Sequence, residues 1–347
     1  MHRLNGKFVR KGYPLLRNKR PVNRPFLFYS PQWFCSQQTG LSFKSLLVAC
    51  SQQLEAFFMK VGFVNIFGKP NAGKSTLMNA LLGEKLAIVS SKVQTTRHRI
   101  KGILTTADYQ LVFSDTPGII DPKYRLQEKM MGSVKSALED ADVALLLVDV
   151  KDNWQENEDL FTSLRLKVPS IVVLNKLDLV DTAKLEEAKA FFEGKPYCKK
   201  VVAVSALSGI NKKTFINHIL EFVPAGEPFF EEDQLTDLST RFFVAELVRE
   251  KIFDLFSEEI PYHTTVIVTA YEQKQSLIKI SADIIVNRET QKGILLGSKG
   301  EMIKKLGSLA RVDIEKFVDS KVFLDLFVKV RPKWRDSDLF LKEFVYN

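Results

Sequence analysis

Cysteine is scarce in this chain of 347 residues. Only Cys35, Cys50 and Cys198 occur, at spacings that exclude a cysteine-based metal or redox centre and point to a reducing compartment. No run of about 18 apolar residues free of charge is present, so no transmembrane helix is expected. Acidic residues are absent from positions 1–50, which carry nine Lys or Arg. The remaining 41 basic residues equal the 41 acidic ones, so the net charge of +9 belongs to the N-terminal segment and says nothing about the rest. Any argument for nucleic-acid binding must therefore rest on local clusters. What is present suits folding: 45% hydrophobic and 26% charged residues, in a length that favours two domains over one.

Residues 1–58 form a basic extension without steady periodicity, and three readings compete. Met59-Lys60-Val61 begins where the first strand should, which favours an upstream start-site artefact. An acid-poor, Arg-rich organellar transit peptide comes next, and a basic arm touching nucleic acid is third. Leu46 to Ala49 is too short an apolar stretch for a secretory signal.

From residue 59 onward, short apolar runs alternate with helical patterns. Strands are expected at 61–67, 111–113, 143–148, 170–174 and 201–204, with helices at 74–82, 125–140 and 184–193. This alternation predicts an α/β domain over 59–224, a mostly parallel sheet with helices on both faces. Proline and glycine in Pro224 to Pro228, then the acidic Glu231 to Asp233, mark a linker over 225–240. The segment 241–347 reads differently: an amphipathic helix over Arg241–Phe256, β-rich stretches near 262–271 and 276–287, a glycine-interrupted stretch at 293–300, another helix, and a last strand near 321–331.

Polar motifs follow the strand ends, where open α/β sheets bind ligands. Gly68-Lys-Pro-Asn-Ala-Gly73-Lys74-Ser75 has phosphate-loop spacing between a strand and a helix. Gly68, Asn71, Ala72, Gly73 and Thr76 belong to a cradle whose backbone N–H groups converge on phosphates. Lys74 reaches the β- and γ-phosphates, and the Ser75 hydroxyl ligates Mg²⁺. Asp115-Thr-Pro-Gly118 supplies the second half, with Asp115 holding Mg²⁺ through water and the Gly118 N–H meeting the γ-phosphate. Asn175-Lys176-Leu-Asp178 selects the base. A buried Asp178 carboxylate can accept from guanine N1–H and the 2-amino group, whereas adenine would set a lone pair against it. Asn175 bridges loops, the Lys176 stem covers the base, and Ser205-Ala206-Leu207 offers a backbone N–H to guanine O6. The expected ligand is GTP or GDP.

These motifs are similar to those of the translation-factor-related GTPases. Gln94-Thr-Thr-Arg-His-Arg99 resembles the switch I segment of the Era family, which implies that Thr96, or alternatively Thr95, coordinates Mg²⁺ in the GTP state. Lys74, Thr96 and Gly118 are then the expected catalytic set. Ile119 and Ile120 stand where many small GTPases carry a water-orienting Gln, so slow intrinsic hydrolysis is implied. By the same resemblance Asn71 is a candidate K⁺ ligand.

Gly297-Ser298-Lys299-Gly300 is a GxxG loop of the kind that KH domains use to clamp an RNA backbone. Between Arg288 and Arg311 lie six Lys/Arg against two acidic residues. The element order fits an α+β type II KH domain. Lys299, Lys304 and Lys305 are expected at phosphates, Ile294, Leu295, Leu296 and Ile303 along a groove for bases, and Lys292 and Gly293 belong to the expected RNA-binding set. Further Era-like stretches are Asp233 to Asp237, Arg241 to Glu246, Arg249 to Ile252, Val286 to Ile294 and Val328 to Arg335. The resemblance spans 59–347. Phe230-Glu231 departs from the family's aromatic-proline pair, which leaves the linker geometry open, and residues 1–58 have no counterpart.

The resemblance implies a monomeric GTPase that binds near the 3′ end of 16S rRNA during 30S assembly. It places the protein in the bacterial cytoplasm with peripheral inner-membrane contact, or in an organelle if residues 1–58 are a transit peptide. Two rivals are a non-catalytic scaffold in which GTP is structural, and a GTPase serving another RNA or ribosomal partner.

Overall fold

The computed structural model describes residues 2–4, 7–9, 59–90 and 92–344. Strands β1 (His2–Leu4) and β2 (Lys7–Val9) form a small antiparallel pair. The rest of the 1–58 extension lies outside the described residues.

The first domain is one seven-stranded sheet. Its strands are β3 (Met59–Phe67), β4 (Ile100–Thr105), β5 (Tyr109–Asp115), β6 (Val143–Asp149), β7 (Ser170–Asn175), β8 (Cys198–Ala203) and β9 (Ala225–Gly226). The order is β4-β5-β3-β6-β7-β8, with β9 paired to the start of β3. All pairs are parallel except β4 with β5 and β9 with β3. Alternating side chains enter opposite layers. Val64, Ile66, Leu145, Leu147, Ile171 and Val173 face one core, shared with helices α1 (Lys74–Leu82) and α5 (Lys212–Leu220). Phe67, Leu146, Val148, Val172 and Leu174 face the other, under α2 (Arg125–Glu139), α3 (Trp154–Ser163) and α4 (Thr182–Phe192). Burial on both faces explains why these strands read as continuous apolar runs rather than alternating ones.

Edge strand β4 was not expected from the sequence. Its Gly102 leaves room for Leu82, whose Cδ1 lies 2.2 Å from where a β-carbon would stand. The linker is also more ordered than its composition suggests. The Gln110 carboxamide oxygen accepts from the N–H groups of Phe229 and Phe230 at 2.7 and 3.0 Å, and its amide donates to the Phe230 carbonyl at 2.9 Å. Phe229 stacks on Phe63, and the Ile103 N–H donates to the Leu235 carbonyl. Phe230 therefore takes a defined place without a following proline.

The second domain runs α6 (Thr240–Leu255), β10 (Thr265–Gln273), β11 (Ile278–Val286), α7 (Glu289–Leu296), α8 (Glu301–Val318) and β12 (Val322–Val330). Its sheet order is β10-β11-β12, antiparallel then parallel. The order helix, two strands, two helices, strand is that of a type II KH domain, as the sequence predicts. The chain does not close on β12. A 3₁₀ turn at Trp334–Asp336 leads into α9 (Asp338–Glu343). Trp334, Leu341 and Phe344 pack with Leu126 and Met130 of α2, and Arg125 pairs with Asp338 at 3.0 Å. The tail thus joins the two domains. Each large apolar side chain buried there contributes about 1.5–3 kcal/mol.

His263 belongs to this joint. Its Nδ1 faces the Gln291 amide at 2.7 Å, and its carbonyl accepts from Trp334 Nε1. Burial lowers its pKa from 6.5 to about 4; Arg335, Arg288 and Arg97 add to that, and Glu259 opposes it. The folded state holds the ring neutral while the unfolded chain takes up a proton below 6.5. Stability is therefore expected to fall as pH drops from 6.5 toward 4. Urea unfolding of His263→Gln across that window should show a shallower slope than the native chain.

Candidate nucleotide site and RNA face

The sequence places a left-handed residue at each end of a tight turn after β3. Asn71 has φ 60°, and Gly73 has φ 99° at the N-terminus of α1. Gly73 is required for a second reason. A β-carbon there would stand 2.3 Å from the Asn175 side-chain nitrogen. That close approach lets Asn175 brace the site. Its amide donates to the Ala72 carbonyl at 2.9 Å, and its oxygen accepts from the Ala206 N–H at 2.9 Å. One side chain from the end of β7 thereby ties the phosphate loop to the Ser205–Leu207 loop.

Around this brace lies a cavity of about 390 Å³, bordered by Asn71, Gly73 to Thr76, Thr96, Gly118, Asn175, Lys176, Asp178, Ala206 and Leu207. Gly68 lies beneath, its carbonyl accepting from Lys74 Nζ at 3.1 Å, and Lys69 offers a second carbonyl at 2.7 Å. At the rim, Asp178 accepts from the Ser205 hydroxyl, and Lys176 pairs with Asp149 at 2.6 Å. Asp178 is exposed rather than buried, so a seated base would itself have to shield it.

Opposite the rim, three oxygens converge. Ser75 Oγ donates to Asp115 Oδ2 at 2.6 Å, Thr96 Oγ1 donates to the same oxygen at 3.1 Å, and the two hydroxyls are 3.0 Å apart. Asp115 Oδ1 is buried and has no hydrogen-bond partner. Burial pushes the Asp115 carboxyl up, against the Ser75 hydrogen bond and the Lys74 charge. It also pushes the Lys74 ammonium down to about 8, against the Asp115 charge. Two hydroxyls and a carboxylate oxygen in need of a partner form the hard-oxygen donor set that suits Mg²⁺. Thr96, rather than Thr95, is the one with its hydroxyl in this cluster. Ile119 and Ile120 pack into apolar clusters, away from any polar duty.

Residues 63–176 match the sequence profile described as 50S ribosome-binding GTPase, and residues 259–335 match the KH domain profile. The GTPase Era of Geotalea daltonii is 45% identical over 289 residues, covering 82% of this chain and 97% of that protein. This chain belongs to the Era family of GTPases. The Era of Thermosipho melanesiensis, also 45% identical, covers 82% of this chain and 96% of its own length. Among solved structures, Era in complex with MgGDPNP and nucleotides 1506–1542 of 16S ribosomal RNA is 39% identical, with a TM-score of 0.79. It covers 83% of this chain and 99% of its own. A variant of Aquifex aeolicus Era bound to GDP and aluminium fluoride gives 38% identity, a TM-score of 0.80 and the same coverage.

In this Era-family chain the GxxG loop joins α7 to α8. Gly297 has φ 71°, and a β-carbon there would meet Met302 Cγ at 2.6 Å. Ser298, Lys299, Gly293, Ile294, Lys304 and Lys305 are exposed, and Lys292 and Gly300 are half-buried. The groove expected for bases needs one correction. Leu295 is fully buried in the KH core, and Ile303 packs on that core, whereas Ile294 is 49% exposed. An eight-residue helix is too short for its periodicity to choose between neighbours 294 and 295.

Residues that the sequence reading left without a role also meet at the site. Gln94, which borders the cavity, accepts from the Tyr124 hydroxyl and the Gln127 amide. Arg97, Glu246 and Arg249 lie buried behind Thr96. They stand inside stretches that read as Era-like, but no signal gave the individual charges a role.

Proposed function

We propose that this protein binds and hydrolyses GTP with Mg²⁺ and uses its KH domain to bind the 3′ region of 16S rRNA during assembly of the 30S subunit. The convergence of Ser75, Thr96 and Asp115 oxygens beside Lys74 and the phosphate loop is the observation that carries the reading. Bound Mg²⁺ supplies charge neutralisation at the β- and γ-phosphates. Ser75 and Thr96 would ligate it directly and Asp115 through water. Lys74 meets the same phosphates, whose charge offsets the burial that lowers its pKa. The phosphate-loop backbone from Gly68 to Thr76 cradles the chain of phosphates, and Gly118 approaches the γ-phosphate. Asp178 reads the guanine N1–H and 2-amino groups, while Asn175, Lys176 and the Ser205–Leu207 loop frame the base.

No side chain at 119 or 120 can polarise the attacking water, which accords with slow intrinsic turnover. Asn71 lies in the phosphate loop, and a K⁺ ion held by it would supply the charge of an arginine finger. The solved Era complex with 16S nucleotides 1506–1542 supports the RNA assignment. Lys292, Lys299, Lys304 and Lys305 would meet the RNA backbone around Gly297 and Gly300, with Ile294 against a base. The relatives are bacterial, which supports a bacterial cytoplasmic protein. Among the described residues no helix is long and apolar enough to cross a membrane.

The full chain should hydrolyse GTP in Mg²⁺, faster in K⁺ than in Na⁺ at equal ionic strength, and should bind an RNA of the 1506–1542 sequence. Phosphate release and fluorescence anisotropy measure the two. RNA binding without any single-turnover hydrolysis would instead favour a scaffold in which GTP is structural.

A further inference from the structure

Thr96 is held in place from outside its own domain. The carbonyl of its neighbour Thr95 accepts from Nη2 of Arg249, a residue of α6 in the KH domain. On the other side, the Arg97 guanidinium donates to the carbonyls of Thr264, Pro261 and Tyr262 at 2.7, 2.9 and 3.2 Å. Both arginines are nearly sealed from water, at 1% and 3% exposure. Arg249 is itself aimed. Glu246, one turn earlier on α6, accepts from Arg249 Nε at 2.7 Å and from Nη2 at 2.6 Å, the two-pronged geometry that fixes a guanidinium plane. Four residues before Thr96, Lys92 Nζ donates to the Phe253 and Phe256 carbonyls at the C-terminus of α6, where a cation complements the helix dipole. The residue on each side of one metal-cluster hydroxyl is thus fastened to the KH domain, Thr95 through its carbonyl and Arg97 through its side chain.

We infer that Arg249, oriented by Glu246, is a positioning residue for Thr96, and that Arg97 is its counterpart across the domain boundary. The KH domain then forms part of the GTP-state metal site without touching nucleotide. This inference rests on the reading of Thr96 as a Mg²⁺ ligand. Its physical content is a linkage: closing the segment on Mg²⁺ and GTP, and docking it on the KH domain, are one equilibrium. A γ-phosphate with its metal would order the segment, whereas GDP makes no demand on Thr96. Removing a charged hydrogen bond that favours only the closed segment should therefore weaken GTP-state binding selectively.

The test uses the full chain and measures affinity for a non-hydrolysable GTP analogue and for GDP, each with and without Mg²⁺. Arg249→Ala should weaken analogue binding in Mg²⁺ by about tenfold or more, while GDP affinity stays within about twofold. Arg97→Ala should act in the same direction. Arg249→Lys, which keeps a charge opposite Glu246 and one donor toward Thr95, should recover part of the loss. A merely structural role for Arg249 would lower both affinities together, and that result overturns the inference. Retained analogue preference in Arg249→Ala overturns it as well. Should Arg249→Ala not fold, judged by circular dichroism and RNA binding, Arg249→Lys and Arg97→Ala decide by the same criterion. If the unaltered chain shows no Mg²⁺-dependent preference for the analogue over GDP, the metal role of Thr96 fails first.

Discussion

Asp178→Asn should lower GTP affinity by about 10²–10⁴-fold, because it removes an acceptor for two charge-assisted hydrogen bonds worth ~1.5–3 kcal/mol each. The amide that replaces the carboxylate presents a donor toward position 2 of the base. It therefore suits xanthine, which carries a carbonyl there. Xanthosine triphosphate should bind the variant better than GTP does and should be hydrolysed by it, since the phosphate loop, Ser75 and Thr96 border the cavity independently of Asp178. Titration with both nucleotides checks this. An equal loss for both would mean that Asp178 shapes the rim, through its bond from Ser205, rather than reading the base.

The second large effect concerns RNA. Gly297 is a poor place for a charge test, because any side chain there would press on Met302 and disturb the start of α8. Gly300 is better suited: its φ of 81° strains any side chain, though Asp less than most, and the nearest atom to an added β-carbon is Ile303 Cγ2 at 3.9 Å. Lys299→Glu with Gly300→Asp changes the loop charge by three units. RNA affinity should fall by about a hundredfold at low salt, and the salt dependence of what remains should flatten. GTP hydrolysis without RNA should be unchanged. Anisotropy across a salt series measures the first, and phosphate release the second.

Much of the nucleotide site could be read from the sequence because its parts are local. Gly68 to Ser75, Asp115 to Gly118 and Asn175 to Asp178 each carry chemistry within a few residues, and each follows an apolar strand. The metal cluster was legible in the same way, once Thr96 was placed by resemblance to a switch segment. What could not be read was tertiary. Arg97 and Arg249 are ordinary charges by composition, and only the approach of α6 to residues 92–97 makes them buried anchors. The sequence of β4, with Gly102 at its centre, looks like a weak strand until Leu82 fills the space above it. Helix α9, at six residues, is too short to show a period, and its meaning lies in what Leu341 and Trp334 touch across the chain. The geometry of the linker was out of reach for a related reason. Pro, Gly and acidic residues mark a linker without saying what holds it, and Gln110, a single polar residue on β5, supplies bonds that order its start.

Helix α6 also sets how the molecule comes apart. Phe243 belongs to the core of the GTPase sheet, while Val244, the next residue, belongs to the core of the KH domain. One helix cannot melt for one core and persist for the other. The two modules, separate in profile and in ligand, are thereby expected to unfold together, as one transition followed by two probes would show. A nucleotide at one end stabilises the RNA-binding end by mass action, and RNA does the same for the nucleotide end.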